Sequence, residues 1–303
     1  MSAHSWSIMD AETGSFLWGK DEGETKEMAS LTKVMTAVVV SKMLPLMKID
    51  PQKYYLKISH KAANMPGTSA SLKENHKLTI FDLLHGLLLP SGNDAAVALA
   101  EGVGALILQY SKKKLASKRL KTEITLPGVR EDPDPYLFFI RVMNQIGKKL
   151  GLAKSHFTNP HGLSDKGNHS SAAELGRLAG IAKKIDLINN IVGLESYRTS
   201  TAVDENGEEK IYKWSNTNIP ILREEGFDGF KTGITQTAGP CLIGSYHKND
   251  VSIIITLLNS RTIQYRHREM VSLAHWAISK IQFLMQSFHI SKMRKLSLYC
   301  KSF

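Results

Sequence analysis

Ser30 and Lys33 stand three residues apart in Glu27-Met28-Ala29-Ser30-Leu31-Thr32-Lys33-Val34, a spacing that puts two side chains on one helical face. A serine hydroxyl becomes an effective nucleophile when a neighbouring base takes its proton. A lysine amine can be that base if it is held neutral, and both burial and the positive end of a helix dipole favour the neutral form. The same helix start would aim the backbone N–H of Ser30 at an oxyanion forming beside its oxygen. Alone, Ser-x-x-Lys is a weak pattern. It recurs at Ser111/Lys114 and Ser245/Lys248, and a serine that opens a helix is ordinarily an N-cap.

Two further motifs change its weight. Ser91-Gly92-Asn93 and Lys231-Thr232-Gly233 each occur once, and with Ser30-x-x-Lys33 they give, in order, a three-part signature of serine acyl-transfer sites. Acyl transfer needs a nucleophile, a base, a proton relay to the leaving amine and donors for the oxyanion. Ser91, on a turn opposite Lys33, can shuttle a proton to the departing nitrogen; otherwise it is a turn or N-cap serine. Asn93 can donate to a substrate carbonyl and accept from Lys33; otherwise it caps a helix. Lys231 supplies positive charge for a carboxylate and Thr232 a hydroxyl donor; otherwise both lie on an exposed strand edge. Gly233 permits close approach of a substrate backbone. Strict alternation along a strand aims Lys231 and Thr232 at opposite faces.

The elements that must hold these residues follow from pattern. A chain of 303 residues can bury a full core, as one large domain or two intimate ones. Short strands are expected at 5–9 and 15–20, joined by a hairpin loop at 10–14. A helix starts at Ser30 and ends near Pro45, 53–58 is extended, and 64–71 is a polar loop. Thr79 caps an apolar helix to Leu88, and a second helix covers 95–108. From 109 to 135 periodicity fails in a basic, proline-containing stretch, read as a poorly ordered surface insertion. Helices resume at 136–150, closed by Gly151, and at 172–184. Strands are expected at 210–214, 229–233, 241–246 and 251–258, then a helix from 266 to about 285. A unit of 1–286 with a basic tail at 287–303 results.

Strands joined by short turns imply an antiparallel sheet, and the first hairpin must join it, since two strands alone are marginal. The fold class is mixed α/β: an antiparallel sheet flanked by helices, plus a helical lobe, with a cleft between them.

The net charge of +11 is uneven. Lys112, Lys113, Lys114, Lys118, Arg119 and Lys121 form a block without interleaved aromatics, which reads as a solvated charge run rather than a specific nucleic-acid surface. Neither a disulfide between Cys241 and Cys300 nor a metal site is expected, and no cofactor. No apolar run of eighteen residues suggests a membrane span. Residues 1–7 lead into a strand pattern without an export signal. Either the protein stays where it is made or its sequence begins after a targeting segment.

The motifs sit in wider similarity. Met28 to Thr36, Gly67-Thr68-Ser69-Ala70, Asn93-Asp94-Ala95-Ala96, the Phe157–Leu163 segment, Asn216-Thr217-Asn218 and Gly229 to Thr235 are similar to the corresponding segments of the D-alanyl-D-alanine carboxypeptidases among the low-molecular-mass penicillin-binding proteins. The resemblance runs from about residue 5 to 276. It implies the β-lactamase/DD-peptidase fold and an acyl-enzyme on Ser30 with the penultimate D-alanine of a peptidoglycan stem peptide. It also implies Lys33 as base, Ser91 as relay, and Lys231 and Thr232 on the terminal carboxylate. The oxyanion hole would be the N–H groups of Ser30 and Ile234. Ile234 departs from the aromatic or histidine that relatives often carry, and only a short basic tail is expected after Gln286, where many relatives carry a further β-domain and an amphipathic anchor.

β-Lactams are the expected covalent inhibitors, and a monomer is expected. The family acts outside the cytoplasm, which leaves the compartment open. A β-lactamase is the nearest rival, but no Glu-x-x-Leu-Asn segment supplies its deacylating glutamate. Endopeptidase or transpeptidase chemistry, and a non-catalytic binding protein that keeps the cleft, remain open.

Overall fold

A helix that is apolar on every side must be enclosed by the rest of the chain, and Thr32–Met47 is such a helix. In the computed structural model, which describes residues 1–116, 134–249 and 251–299, Val34 to Val40 are all buried. Ala29–Met47 has the length and apolarity of a membrane-crossing helix, but most of it is packed inside the protein. Around it lie the helices Ile80–Leu88, Asn93–Ala116, Pro135–Lys149, Ala172–Lys183 and Asp186–Val192.

Five strands form one antiparallel sheet in the order Phe16–Lys20, Ser5–Asp10, Val251–Leu258, Gly239–Lys248, Phe227–Thr235. The N-terminal hairpin therefore joins the late strands, as sheet stability requires. Every residue of Val251–Leu258 is buried, in keeping with its central place. One face of the sheet carries the Ala172–Lys183 helix and the helical lobe, and the other carries the Ile263–Tyr299 helix. Phe227–Thr235 is an edge strand, so one side of its backbone is left without a strand partner.

Several boundaries differ from expectation. The α-helix begins at Thr32, and Ser30 lies in a 3-10 turn, Ala29–Leu31, where it makes no capping hydrogen bond. That helix runs past Pro45 to Met47; a proline in the last turn removes only one internal hydrogen bond. The helix expected at 95–108 extends from Asn93 to Ala116, through part of the expected insertion, because lysine, leucine and alanine are good helix formers. Of the remainder of the expected insertion, 117–133 lies outside the described residues, while Asp134 caps and Pro135 opens the next helix. The last helix continues to Tyr299 where a tail was expected, and Cys300 lies outside the described residues. The strand expected at 210–214 is confined to Lys213–Ser215. Asp186–Val192 was not anticipated, being too short for a periodic signal.

Candidate active site

The turn that carries Ser30 is pressed from two sides. Ala29 has a φ of +48°, and a Cβ on Gly162 would lie 1.9 Å from the Ala29 carbonyl oxygen. On the other side, a Cβ on Gly233 would lie 3.1 Å from Ser30 N. The glycine of the third motif thus admits the nucleophile's own backbone, whereas the sequence suggested that it admits a substrate. Gly162→Ala is expected to cost at least about 2 kcal/mol, read as a fall in Tm, because φ there is +88° and the clash is with backbone.

Lys33 is fully buried. Its Nζ lies 2.9 Å from Ser30 Oγ, 2.8 Å from Asn93 Oδ1 and 2.6 Å from the His161 carbonyl oxygen. Asn93 Nδ2 donates to the Pro66 carbonyl at 2.7 Å, which turns Oδ1 towards the lysine. Two of the three partners can only accept. A neutral amine has two N–H groups and one lone pair, so the N–H groups go to Asn93 Oδ1 and His161 O, and the lone pair is left facing the Ser30 hydroxyl. The protonated form donates to all three.

Burial is the main force holding the Lys33 pKa well below that of an ordinary lysine. The positive charge of Lys231 adds to it, and Asp94 opposes. Lys231 is likewise fully buried, and burial followed by the Arg266 charge brings its pKa down to about 7. Its Nζ donates to the Thr232 carbonyl at 3.0 Å. His161 is pushed down to about 3, by burial first and then by Lys33 and Lys61, so its ring is neutral at physiological pH. Its Nδ1 accepts from the Leu163 N–H at 3.1 Å.

The strand register explains the geometry of the third motif. Lys231 pairs with Ile243 and Gly233 with Cys241, while Thr232 pairs with Leu242. Ile243 and Cys241 belong to the core beneath the helical lobe, and Leu242 to the core beneath the last helix. Lys231 and Gly233 therefore share the Ser30 side and Thr232 alternates away, as the pleat dictates. At the sheet edge Thr232 Oγ1 still finds Thr217 Oγ1 at 2.7 Å. Arg266 Nη1 donates to the Gly233 and Cys241 carbonyls, both at 3.0 Å. Ile234, next along the strand, is half exposed.

Ser91 is held in a turn with φ +63°. Its carbonyl accepts from Thr68 Oγ1 at 2.6 Å, and Asn93 N donates to Thr68 O at 2.8 Å. A Cβ on Gly92 would lie 2.5 Å from Asp94 Oδ1 and 2.9 Å from Ala70, so this turn requires glycine. Ser91 Oγ is buried and has no hydrogen-bond partner among the described residues. The structure thus gathers Ser30, Lys33 and Asn93 into one network and seats Gly233 against it. Lys231 is coupled to Lys33 through charge, and the Ser91 hydroxyl is left unengaged.

A family described as D-alanyl-D-alanine carboxypeptidase matches residues 1–107 and 136–262. The chain belongs to this family. The D-alanyl-D-alanine carboxypeptidase DacF of Bacillus subtilis (strain 168) is 29% identical over 281 residues, which are 92% of this chain and 63% of that protein. A D-alanyl-D-alanine carboxypeptidase of Streptomyces sp. (strain K15) is 29% identical over 274 residues, 89% of this chain and 85% of the relative. The crystal structure of the Streptomyces K15 DD-transpeptidase superposes with a TM-score of 0.78 at 26% identity, covering 92% of this chain and 98% of that one. The mixed α/β fold, an antiparallel sheet with helices, is that of the DD-peptidases. Residues 108–135 fall outside the family match, where the sequence suggested an insertion.

Beyond the family motifs, three contributors carried no assigned role in the sequence reading. The His161 carbonyl is a backbone group without a side-chain signature. Thr217 and Arg266 act on the third motif from distant segments; only the Asn216-Thr217-Asn218 similarity pointed to the first. Among the described residues no group of three His, Cys, Asp or Glu side chains is placed to hold a metal.

Proposed function

We propose that this chain is a serine-type D-Ala-D-Ala carboxypeptidase acting on peptidoglycan stem peptides, with 1–286 as its catalytic unit. The observation that carries the reading is the Lys33 amine, which has two pure acceptors for its N–H groups and the Ser30 hydroxyl at its remaining position. Ser30 Oγ attacks the carbonyl of the penultimate D-alanine as its proton passes to Lys33. The N–H groups of Ser30 and Ile234 receive the oxyanion. Lys33 then returns the proton through Ser91 to the leaving nitrogen, the amide bond breaks, and D-alanine departs. Water attacks the resulting ester, again with Lys33 as base, and Ser30 recovers its proton.

Lys231 supplies the positive charge for the terminal carboxylate from the Ser30 side of the edge strand. Thr232, whose side chain alternates to the other face, offers its hydroxyl to that carboxylate from the open sheet edge, where it already meets Thr217. Asn93 donates its second amide proton to a substrate carbonyl, and Gly233 keeps the edge strand close to the Ser30 turn. The unpartnered Ser91 hydroxyl suits a relay that finds its partner only when substrate arrives. β-Lactams, which present an acyl group and a carboxylate, are the matching covalent inhibitors.

The test is release of D-alanine from diacetyl-L-lysyl-D-Ala-D-Ala. Release by the native chain, abolished in Ser30→Ala at unchanged Tm, supports the reading; equal release by both chains refutes it. Adding an amine acceptor to the same assay separates hydrolysis from transpeptidation, since one acyl-enzyme serves both.

A further inference from the structure

The loop 70–76 and the segment 210–214 enclose a groove of about 380 Å³ on the outer side of the loop that braces Ser91. Its floor is aromatic: Tyr212 and Trp214 are both buried, with ring centroids 5.8 Å apart. Ile211 stands beside them 55% exposed. Lys73, Lys210 and Lys213 line the groove, and no acidic residue does. Lys210 is already paired with Asp204 at 2.8 Å and Glu208 at 2.9 Å. Lys73 and Lys213 make no ion pair among the described residues, and Glu74, the acid next to Lys73, is held by His60 at 2.8 Å. Glu205, beside the groove, accepts from Asn75 Nδ2 at 3.3 Å. Two ammonium groups without an ion-pair partner among the described residues, set over an apolar floor, complement an anionic chain that also carries apolar surface.

The groove shares a wall with the catalytic turn. Trp214 Nε1 donates to the Ala70 carbonyl at 2.8 Å. On its other side Ala70 packs against Gly92, where a Cβ would come within 2.9 Å of it. The buried Asp94 carboxylate ties the same loop down, accepting from Ser69 Oγ at 2.6 Å, Ala70 N at 2.9 Å and Leu72 N at 3.1 Å. Tyr212 Oη closes the opposite wall, accepting from Lys73 N at 3.2 Å and bonding His76 Nδ1 at 2.8 Å. A ligand in the groove would therefore rest on the splint that fixes Ser91 and Asn93.

We propose that this groove is a second binding site, for a carboxylate-bearing segment of a peptide-substituted glycan. It rests on the proposed function in one respect: that segment is a more distant part of the polymer whose D-alanyl end enters at Ser30. The carboxylate sits between Lys73 and Lys213, and the adjoining apolar part lies on Ile211 and the aromatic floor. The site favours polymeric substrates over short peptides, because it adds a contact that a short peptide cannot reach.

The test combines binding and kinetics on the full chain. Binding of a soluble peptidoglycan oligomer with tripeptide stems, which offers no D-Ala-D-Ala end, is measured by calorimetry on Ser30→Ala. The Lys73→Glu/Lys213→Glu pair in that background is expected to weaken it about tenfold. In the native background the same pair should lower kcat/KM for polymeric substrate by a similar factor and leave that for diacetyl-L-lysyl-D-Ala-D-Ala within about twofold, at unchanged Tm. Oligomer binding unaffected by the two substitutions, or equal losses on both substrates, would overturn the site. Polyphosphate competing as well as the oligomer would overturn the carboxylate assignment in favour of a phosphate polymer. Lysine-dependent binding without turnover of either substrate would refute the proposed function and leave the groove standing as a glycan-peptide site.

Discussion

Lys33→Met is expected to slow acylation of Ser30 by about a thousandfold, the middle of the range for loss of a general base. Methionine keeps the length of the side chain and fits a fully buried position, but it cannot accept a proton. The Ser30 hydroxyl then has no base, while Asn93 Oδ1 and His161 O lose the donor that joined them. The pH profile provides a separate check. Only the neutral amine is competent, so kcat/KM rises with pH as Lys33 loses its proton. Because burial lowers that pKa, the rise should fall well below the ordinary lysine range. In Lys33→Met this ascending limb should vanish, leaving a low, flat rate. A limb that survives would assign it to another group.

The second large effect is at Lys231, where activity and stability should move in opposite directions. Lys231→Met is expected to lower kcat/KM for a substrate with a free terminal carboxylate by about 10²–10³, as when one partner of a buried charge pair is lost. A substrate amidated at that terminus should lose far less. The fold, by contrast, is expected to gain stability at pH 7, on the order of the 1–4 kcal/mol found when buried ion pairs are replaced by apolar groups, because the substitution removes a buried ammonium without a carboxylate partner among the described residues.

The sign follows from linkage. Lys231 titrates near 7 in the folded chain and at the ordinary 10.5 once unfolded. Between those values the unfolded chain holds a proton that the folded chain has released, so native stability rises with pH across that window and sits at its lower level below it. Denaturant titrations of the native chain and of Lys231→Met should converge as pH increases. In the same region the native kcat/KM should descend, since the ammonium that receives the carboxylate is being lost.

The candidate site was legible because its groups are side chains at fixed spacings. Ser30, Lys33 and Asn93 meet as their motifs implied, and alternation alone told that Lys231 and Thr232 point to opposite faces. The sheet was legible for a different reason: a hairpin at 5–20 has no stable existence unless it pairs with the apolar strands near the C-terminus. What stayed hidden is mainly backbone. Nothing in the sequence announces that the His161 carbonyl takes one of the Lys33 protons, or that Ser30 sits in a 3-10 turn ahead of the helix. Gly162 and Gly233 look like loop and strand glycines, and only the close packing of three segments reveals that both make room for the nucleophile's turn. Helix ends are hidden where helix propensity is continuous, as in the lysine-rich stretch up to Ala116. Asp186–Val192 is a short helix fixed by tertiary packing of Ile188, Ile191 and Val192.

The most direct measurement of the central claim is mass spectrometry of the chain after incubation with penicillin, followed by peptide mapping. A single penicilloyl adduct on the peptide containing Ser30 is predicted. It should persist, since no Glu-x-x-Leu-Asn segment is present to activate a deacylating water, and it should be absent from Ser30→Ala. An adduct on another residue, or rapid penicillin turnover with no adduct at all, would contradict the account.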